Sequence, residues 1–309
     1  MSKLIVRPAT GREEIARFNE LPYVLNEEFG RDVDEGRRRP GWMWMALRSD
    51  RLVGRVAWWA RDNKATEPMV MDVFDLAADE PLETGVELFR TASKQVLPSR
   101  IRPLDFLTFV PPNWRDDPDA RRTIQTRISA LEQAGARVFV ERLRLEWIAG
   151  TVIAPPSERL LFRPVNDDQE LISLMARVLE GTLDAHSRRD LENGSAAEVA
   201  RDQYHGDFLG DPKPRDWWRI ATLPTGEEVG FVIPARNAYN AIIAYVGVVP
   251  EHRGRGYIDD ILAKGTRIIA AHDVKRIRAA TDVGNRPMAE AFARNGYRTE
   301  GGQINMSWD

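Results

Sequence analysis

The residues that carry the most chemical information lie in the segment 246–258, which reads VGVVPEHRGRGYI. An apolar strand ends at a proline, and a helix begins after a turn with two glycines and two arginines. Glycines let the backbone approach a ligand closely, while a helix start offers unpaired N–H groups and the positive end of the helix dipole. The pattern therefore predicts a phosphate or pyrophosphate site. Its central residues are Arg253, Gly254, Arg255 and Gly256.

Other phosphate and catalytic motifs do not fit the sequence. A P-loop lacks its first glycine, since Lys264-Gly265-Thr266 lies inside the predicted helix, and a dinucleotide fingerprint needs glycine where Asp259 stands. The chain has no cysteine, which excludes thiolate zinc sites and a cysteine nucleophile. No two of the four histidines have the spacing of a metal-binding pair, so the sequence predicts no metal site. They are His186, His205, His252 and His272, of which His205 lies either at the surface or toward an acceptor.

Alternation and run lengths predict the elements that hold the turn. Ala241–Val249 is almost wholly apolar, which is typical of a central strand. Asn285 is expected to cap a following helix, a role compatible with contact to a ligand. Further elements predicted in this half are the helices Asp168–Glu180, Ala196–Phe208, Ile258–Ala271 and Pro287–Arg294, and the strands Arg276–Thr281 and Arg298–Trp308.

Three short matches in the same order indicate a duplicated chain. Residues 4–8 resemble 160–164, residues 53–56 resemble 229–232, and residues 134–147 resemble 295–308. The offset of the second match adds about 20 residues in the polar stretch 184–214. We therefore predict a first domain over 1–152, an extended linker at 153–157 that includes a Pro-Pro pair, and a second domain over 158–309.

Length and composition agree with two soluble domains. The 309 residues suffice for two domains of about 150 residues each. With 43% apolar and 29% charged residues the chain is not disordered, and a net charge of −3 does not favour nucleic acid or anionic membranes as partners. No apolar run reaches the length of about 18 residues of a membrane span, and the first residues lack the apolar core of a signal peptide. We expect a cytoplasmic protein.

The turn resembles motif A of the GNAT superfamily, the acyl-CoA-dependent N-acyltransferases. That motif is a strand ending in Val-x-Pro, followed by Arg/Gln-x-x-Gly-x-Gly/Ala at a helix start. Here Val248-Val249-Pro250 matches the strand end, Arg253 the first loop position and Gly256 the central glycine. The segment from Asn285 to Tyr297 resembles the family's Asn-led helix followed by Gly-Phe/Tyr. The resemblance covers residues 158–309, and the first half resembles the same fold without its motifs.

The resemblance implies a mixed α/β (α+β) chain of two tandem GNAT-like domains, each a mostly antiparallel mixed sheet flanked by helices. It implies acetyl transfer from acetyl-CoA, without a metal, to a small-molecule amine that attacks the thioester directly. Tyr245, near the implied thioester position, is a candidate catalytic or substrate contact, with core packing as the alternative. The implied cofactor-binding residues are Val246, Val248, Arg253, Gly254, Arg255, Gly256, Tyr257, Ile258 and Asn285.

The second half departs from the family pattern at three positions. Ile258 stands where the motif has Gly or Ala, so its side chain either narrows the pyrophosphate site or turns outward. Met288 replaces a small residue. Phe292 occupies the position where many members have a tyrosine that reprotonates the CoA thiolate, and phenylalanine has no proton to give. Another group or water then serves, or turnover is slow or absent.

The equivalent turn of the first half carries Asp79, Glu80 and Glu83, which are expected to repel an anion. We predict that this half binds no CoA and instead shapes the acceptor cleft, packs structurally or supports a homodimer. Three functions stay open: an N-acetyltransferase, a non-catalytic acyl-CoA-binding or regulatory module, and a scaffold without ligand. The residues do not specify the acceptor.

Overall fold

The computed structural model describes residues 3–208 and 214–308. The chain divides into two compact units. The first unit comprises Met1–Glu141 and Gly301–Asp309, and the second unit comprises Arg142–Glu300.

The elements of the first half are strands and helices with these bounds: β1 Leu4–Pro8, α1 Ile15–Phe18, α2 Phe29–Asp34, β2 Met43–Arg48, β3 Arg51–Trp59, β4 Val70–Leu76, α3 Leu82–Val96, β5 Phe106–Val110, α4 Pro118–Gln133 and β6 Arg137–Ile148. Those of the second half are β7 Leu161–Arg163, α5 Asp168–Leu179, α6 Ala185–Leu191, α7 Ala196–Gln203, β8 Arg219–Thr222, β9 Glu228–Arg236, β10 Ala241–Val248, α8 Tyr257–Ala270, β11 Arg276–Asp282, α9 Arg286–Arg294 and β12 Arg298–Ser307.

Each unit is built on a mixed, mostly antiparallel sheet flanked by helices, which confirms the predicted fold class. In the first unit the strands run in the order β1-β2-β3-β4-β5 followed by the end of β12. In the second unit the order is the end of β6 followed by β11-β10-β9-β8-β7. Neighbours pair antiparallel except β4 with β5 and β10 with β11, which are parallel.

The end of the final strand of each sequence half belongs to the other half's unit. Residues 142–148 of β6 pair with β11, and residues 302–306 of β12 pair with β5. The compact units therefore differ from the division predicted at residues 152 and 158. The repeats locate the duplicated segments, whereas the units follow strand pairing, which the repeats do not encode.

Local signals explain most element ends. Ser49 and Asp50 form the β2–β3 hairpin turn with positive φ angles of 46° and 70°. Helix α4 begins at an Asp117 cap and is followed by Gly135 at φ 96°. Helix α9 begins at an Asn285 cap, with a proline in its first turn.

The polar stretch after residue 184 is more structured than predicted. It contains α6, whose cap Asp184 accepts a hydrogen bond from the Ser187 N–H at 2.9 Å. The helix predicted over Ala196–Phe208 ends as α7 at Gln203 and continues as a π-helical turn over residues 204–208. The predicted stretch extends to Pro214 and includes residues outside those described.

Each unit has its own apolar core. In the second unit α5 and α8 pack on β9 and β10, and α9 packs against α8 and β11, with Leu171, Phe231, Ile261 and Phe292 buried. Within residues 3–208 and 214–308 no helix is long and apolar enough to cross a membrane.

Candidate functional site

Strand β10 separates from β11 partway along its length. It pairs with β11 only at residues 241 and 242, yet it pairs with β9 up to Val248. An irregularity between Ile243 and Tyr245 marks a bulge at the point of separation. Residues 244–248 therefore do not pair with β11, and this edge can pair with an extended, amide-bearing ligand except at the Val248 carbonyl, which accepts a hydrogen bond from Arg253 Nε.

The turn after β10, residues 253–258, forms a loop that we call the phosphate loop. Gly254 and Gly256 have φ angles of 74° and 76°, in the left-handed region that favours glycine. Five consecutive N–H groups, those of residues 254–258, have no acceptor in the described parts of the chain. Such a run of open donors at a helix start is an anion-binding arrangement.

The equivalent turn of the first unit lacks this arrangement. The Ala77 N–H donates to the Val53 carbonyl at 2.8 Å, and the Glu80 N–H donates to the Ala77 carbonyl at 3.0 Å. The Thr84 N–H donates to the Pro81 carbonyl at 3.0 Å. Because Pro81 has no N–H, the donors of this turn do not form a continuous open run.

The carboxylates of the first unit's turn have arginine partners. Asp79 pairs with Arg51 at 2.8 Å, and this hydrogen bond lowers the pKa of Asp79. Glu80 pairs with Arg48 at 3.0 Å. Part of the charge is therefore offset, and repulsion is a weaker obstacle to an anion than the sequence indicated.

Side chains also fill the position between β4 and β5 that is open between β10 and β11. Strands β4 and β5 pair at a single position. Buried Arg127 bridges the two, donating to Asp75 of β4 at 2.5 Å and to Thr108 of β5 at 3.2 Å. The Tyr23 hydroxyl accepts the Phe109 N–H at 2.8 Å. Together they occupy the space that a ligand would need.

Arg253 has a different role from the one its charge indicated. Its Nε donates to the Val248 carbonyl at 3.0 Å. Its two Nη atoms donate to the carbonyls of Glu180 at 2.7 Å and of Val178 at 2.8 Å. These last two carbonyls lie at the end of α5, where helix carbonyls lack partners. The guanidinium thus ties α5 to the end of β10, and its backbone borders the cleft.

The other loop residues differ in whether they line the cleft. Tyr257 and Ile258 are half-buried and line the cleft beside the glycines, and Ile258 also packs against the core. Arg255 is exposed and does not line the cleft. Its side chain has no partner among the described residues.

Asn285 caps α9 and borders the cleft. Its Oδ1 accepts the Met288 N–H at 3.4 Å, so the capping role is observed, and its Nδ2 has no partner within the described residues. Val246 and Val248 line the cleft on the β10 side, with Met288 opposite on α9.

Tyr245 lies at the bulge of β10 and lines the cleft. Its ring stacks on Phe208 with centroids 6.0 Å apart and meets the edge of Phe231 at 5.0 Å. Burial raises the pKa of Tyr245, with the nearby Asp184 charge adding to the effect. The hydroxyl is therefore protonated at neutral pH and has no partner in the described structure, so it is available to donate a hydrogen bond.

Phe292 is buried beneath the cleft on α9. It contacts Tyr297 edge to face at 5.0 Å, and both belong to the core. The Tyr297 hydroxyl is hydrogen-bonded to Thr266 Oγ1 at 2.8 Å. Tyr297 therefore has a structural partner, and it does not replace the missing tyrosine.

The cleft of the second unit measures about 800 Å³ and joins the open edge of β10 to the phosphate loop. All the implied binding residues except Arg255 line it. Its opposite wall comes from the segment before and within α6 and from β11. The polar or charged residues of this wall are Thr182, Asp184, His186, Ser187, Arg189, Asp190 and Thr281, and Arg142 of β6 lies beside them.

The sequence did not identify this wall. The Asp282 carboxylate, at the end of β11, is buried, pairs with Arg142 Nε at 3.0 Å and accepts the Ala185 N–H at 2.6 Å. It fixes the start of α6, which brings His186 to the cleft. Burial lowers the pKa of His186, and the positive charge of Arg142 lowers it further. The sequence offered no signal for this contact, because Asp282 and Ala185 are far apart in the chain.

Of the remaining histidines, His252 also lines the cleft, whereas His205 and His272 do not. His205 is exposed on the turn after α7, and buried His252 contacts Glu227 through Nε2 at 3.0 Å. In residues 3–208 and 214–308 no cluster of three His, Asp or Glu side chains is suited to hold a metal ion.

A family model matches the segment that contains the open β10 edge, the phosphate loop and α9. The model of the acetyltransferase (GNAT) family matches residues 183–297. Residues 183–297 are therefore similar to the GNAT acetyltransferases. Among curated protein sequences no match to the chain was found.

Solved structures extend this GNAT likeness over both units. The chain is similar to a GCN5-related N-acetyltransferase from Sphaerobacter thermophilus, with a TM-score of 0.58 and 14% identity over 98% of this chain and 95% of that one. A tandem GNAT protein from the clavulanic acid biosynthesis pathway gives a TM-score of 0.53 and 15% identity over 99% and 98%. At these identities the likeness shows the fold, which is a tandem GNAT fold.

A third similar structure is the glucosamine N-acetyltransferase region of a fungal multi-domain GH3 β-N-acetylglucosaminidase. Its TM-score is 0.57 at 15% identity, over 99% of this chain and 38% of that one. The GNAT family and fold imply acyl transfer from acyl-CoA.

Proposed function

We propose that this protein is an N-acetyltransferase that moves an acetyl group from acetyl-CoA to a small-molecule amine in the cleft of the second unit. The observation that carries the proposal is the continuity of two features. Five open N–H groups at the start of α8 adjoin the open edge of β10 in one cleft. A pyrophosphate fits the first feature and an extended pantetheine arm fits the second.

The thioester would then lie at the β10 bulge. The amine nitrogen attacks the carbonyl carbon, the C–N bond forms, and the C–S bond breaks. The Tyr245 hydroxyl, protonated because it is buried, donates a hydrogen bond to the charge that develops on oxygen or sulfur. The departing thiolate takes its proton from water, because Phe292 has none to give.

The opposite wall supplies a group to accept the amine proton. His186 is half-buried in the cleft wall, and its lowered pKa keeps the imidazole neutral at pH 7. We assign it as the base, acting directly or through one water. Asp184, on the same wall, is the carboxylate available to an approaching ammonium group, although Arg142 offsets part of its charge at 3.4 Å.

A non-catalytic acyl-CoA-binding module is the second candidate. Phe292 favours it, because the side chain where family members place the proton donor is buried and apolar. The presence of Tyr245 and His186 at the cleft favours the enzyme, since a binding module needs neither.

Thiol release separates the two candidates. Acetyl-CoA is incubated with small primary amines, including amino acids, amino sugars and polyamines, and free CoA is followed with a chromogenic disulfide reagent. Because the chain has no cysteine, the protein contributes no thiol signal. Amine-dependent release with an acetylated product by mass spectrometry supports the enzyme. Acetyl-CoA binding without release across the panel contradicts it and favours the binding module.

A further inference from the structure

Arg159 lies behind the phosphate loop and does not line the cleft. Its Nη1 donates to the Arg255 carbonyl at 3.1 Å, and its Nη2 donates to the Gly256 carbonyl at 3.4 Å. Its guanidinium also lies over the Tyr257 ring, 5.3 Å from the centroid. One side chain therefore holds two consecutive peptide groups of the loop.

These contacts set the direction of the loop's donors. In a trans peptide the carbonyl and the next residue's N–H point in opposite directions. Holding the Arg255 carbonyl turns the Gly256 N–H away from Arg159, and holding the Gly256 carbonyl does the same for the Tyr257 N–H. Both N–H groups belong to the open run that faces no acceptor in the described structure.

Arg159 also pairs with a carboxylate that would oppose an anion. The first turn of α8 carries Asp259 and Asp260, whose charges disfavour a phosphate at the same helix end. Asp260 pairs with Arg159 Nη2 at 2.5 Å. Asp259 pairs with Arg294 Nη2 at 3.1 Å. The negative charge of each of these two carboxylates is thus offset by an arginine from outside α8.

We propose that Arg159 is a positioning residue of the pyrophosphate subsite. It orients the N–H groups of Gly256 and Tyr257 and offsets the charge of Asp260, without touching the ligand. This inference rests on the proposed function only in that the loop binds an acyl-CoA.

Calorimetric titration of CoA tests the proposal. In Arg159→Gln we expect binding at least about tenfold weaker, since the charge and the two-carbonyl fork are lost together. Asp260→Asn should bind at least as tightly as the unsubstituted protein, and the double variant should recover part of the loss. Arg267→Gln is the matched control, because Arg267 lies on α8 and donates a hydrogen bond to a backbone carbonyl, that of Ala154 at 2.5 Å, without lining the cleft. Its affinity should stay within about twofold.

Arg159→Lys separates the two contributions. Lysine keeps the pair with Asp260 but cannot hold two carbonyls in one planar fork, so its affinity should fall between those of the unsubstituted protein and Arg159→Gln. Unfolding midpoints without ligand should change equally in Arg159→Gln and Arg267→Gln, whereas CoA affinity should change only in the former.

Three results would overturn parts of this reasoning. CoA affinity within about threefold of the unsubstituted protein in Arg159→Gln refutes the positioning role while leaving the proposed function intact. A double variant no tighter than Arg159→Gln refutes the charge contribution. Absence of CoA binding in the unsubstituted protein refutes the proposed function, and this inference with it.

Discussion

Replacing either loop glycine with alanine tests whether left-handed backbone holds the phosphate loop in its binding conformation. A Cβ added to Gly254 meets nothing within 4 Å, and one added to Gly256 meets only Arg159 at 3.9 Å. Space is therefore available, and the penalty is conformational, about 1–2 kcal/mol for an L-residue at this φ. An exposed loop relieves that strain by moving φ out of the left-handed region, and ligand binding must then restore the left-handed φ angle. The affinity for acetyl-CoA should fall by about 5- to 30-fold.

Gly150 provides the matched control. Its φ is 92° and an added Cβ meets nothing within 4 Å, but it does not line the cleft. Gly150→Ala should lower the free energy of unfolding, measured by urea denaturation, by the same conformational penalty of about 1–2 kcal/mol. Its acetyl-CoA affinity, measured by calorimetry, should stay unchanged. An affinity within about twofold of the unsubstituted protein in both Gly254→Ala and Gly256→Ala, or an equal loss in Gly150→Ala, would refute the reasoning.

Three further predictions concern other groups. Because the lowered pKa of His186 keeps the imidazole neutral, kcat/KM should fall on the acid side of the pH profile with a midpoint below about pH 6.5. His186→Gln should abolish this acid limb, whereas the control His205→Gln, at an exposed position, should retain it. An unchanged pH profile in His186→Gln would exclude His186 as the base. Tyr245→Phe should lower kcat by about 10- to 100-fold at unchanged acetyl-CoA affinity, and an unchanged kcat would remove the hydroxyl from the mechanism. Asp75→Leu removes the carboxylate that pairs with buried Arg55 and Arg127. In urea titrations it should lower the free energy of unfolding by about 3–5 kcal/mol, while acetyl-CoA affinity is retained. A loss below about 1 kcal/mol would contradict this account of the first unit's interior.

The phosphate loop was predictable because its information is local. Two glycines between a strand end and a helix start require left-handed backbone, and both φ angles are in that region. The cap at Asn285 follows from a similar short-range rule. Residue type and spacing are sufficient here because each conformation is set within a few residues.

Long-range partners were beyond the sequence. Arg253 was predicted to assist the pyrophosphate, but its planar fork holds carbonyls at the end of α5, more than 70 residues away in the chain. The loop's outer support, Arg159, lies nearly 100 residues before the residues it holds. An arginine's charge predicts that it will find acceptors, and only the fold determines which acceptors are within reach.

The division of the chain shows the same limit. Duplicated segments are visible as repeats, but the pairing of β6 and β12 depends on which strand edge is open beside them. In the first unit the carboxylates of the turn indicated repulsion, whereas the packing shows Arg127 and Tyr23 filling the place of a ligand.

Calorimetric titration of acetyl-CoA, in parallel with Gly256→Glu, tests the central claim most directly. The variant places a carboxylate in the proposed pyrophosphate site without changing the first unit. The account predicts one binding event per chain, lost in Gly256→Glu. Two events per chain, binding retained in the variant, or no binding to the unsubstituted protein at millimolar ligand would contradict it.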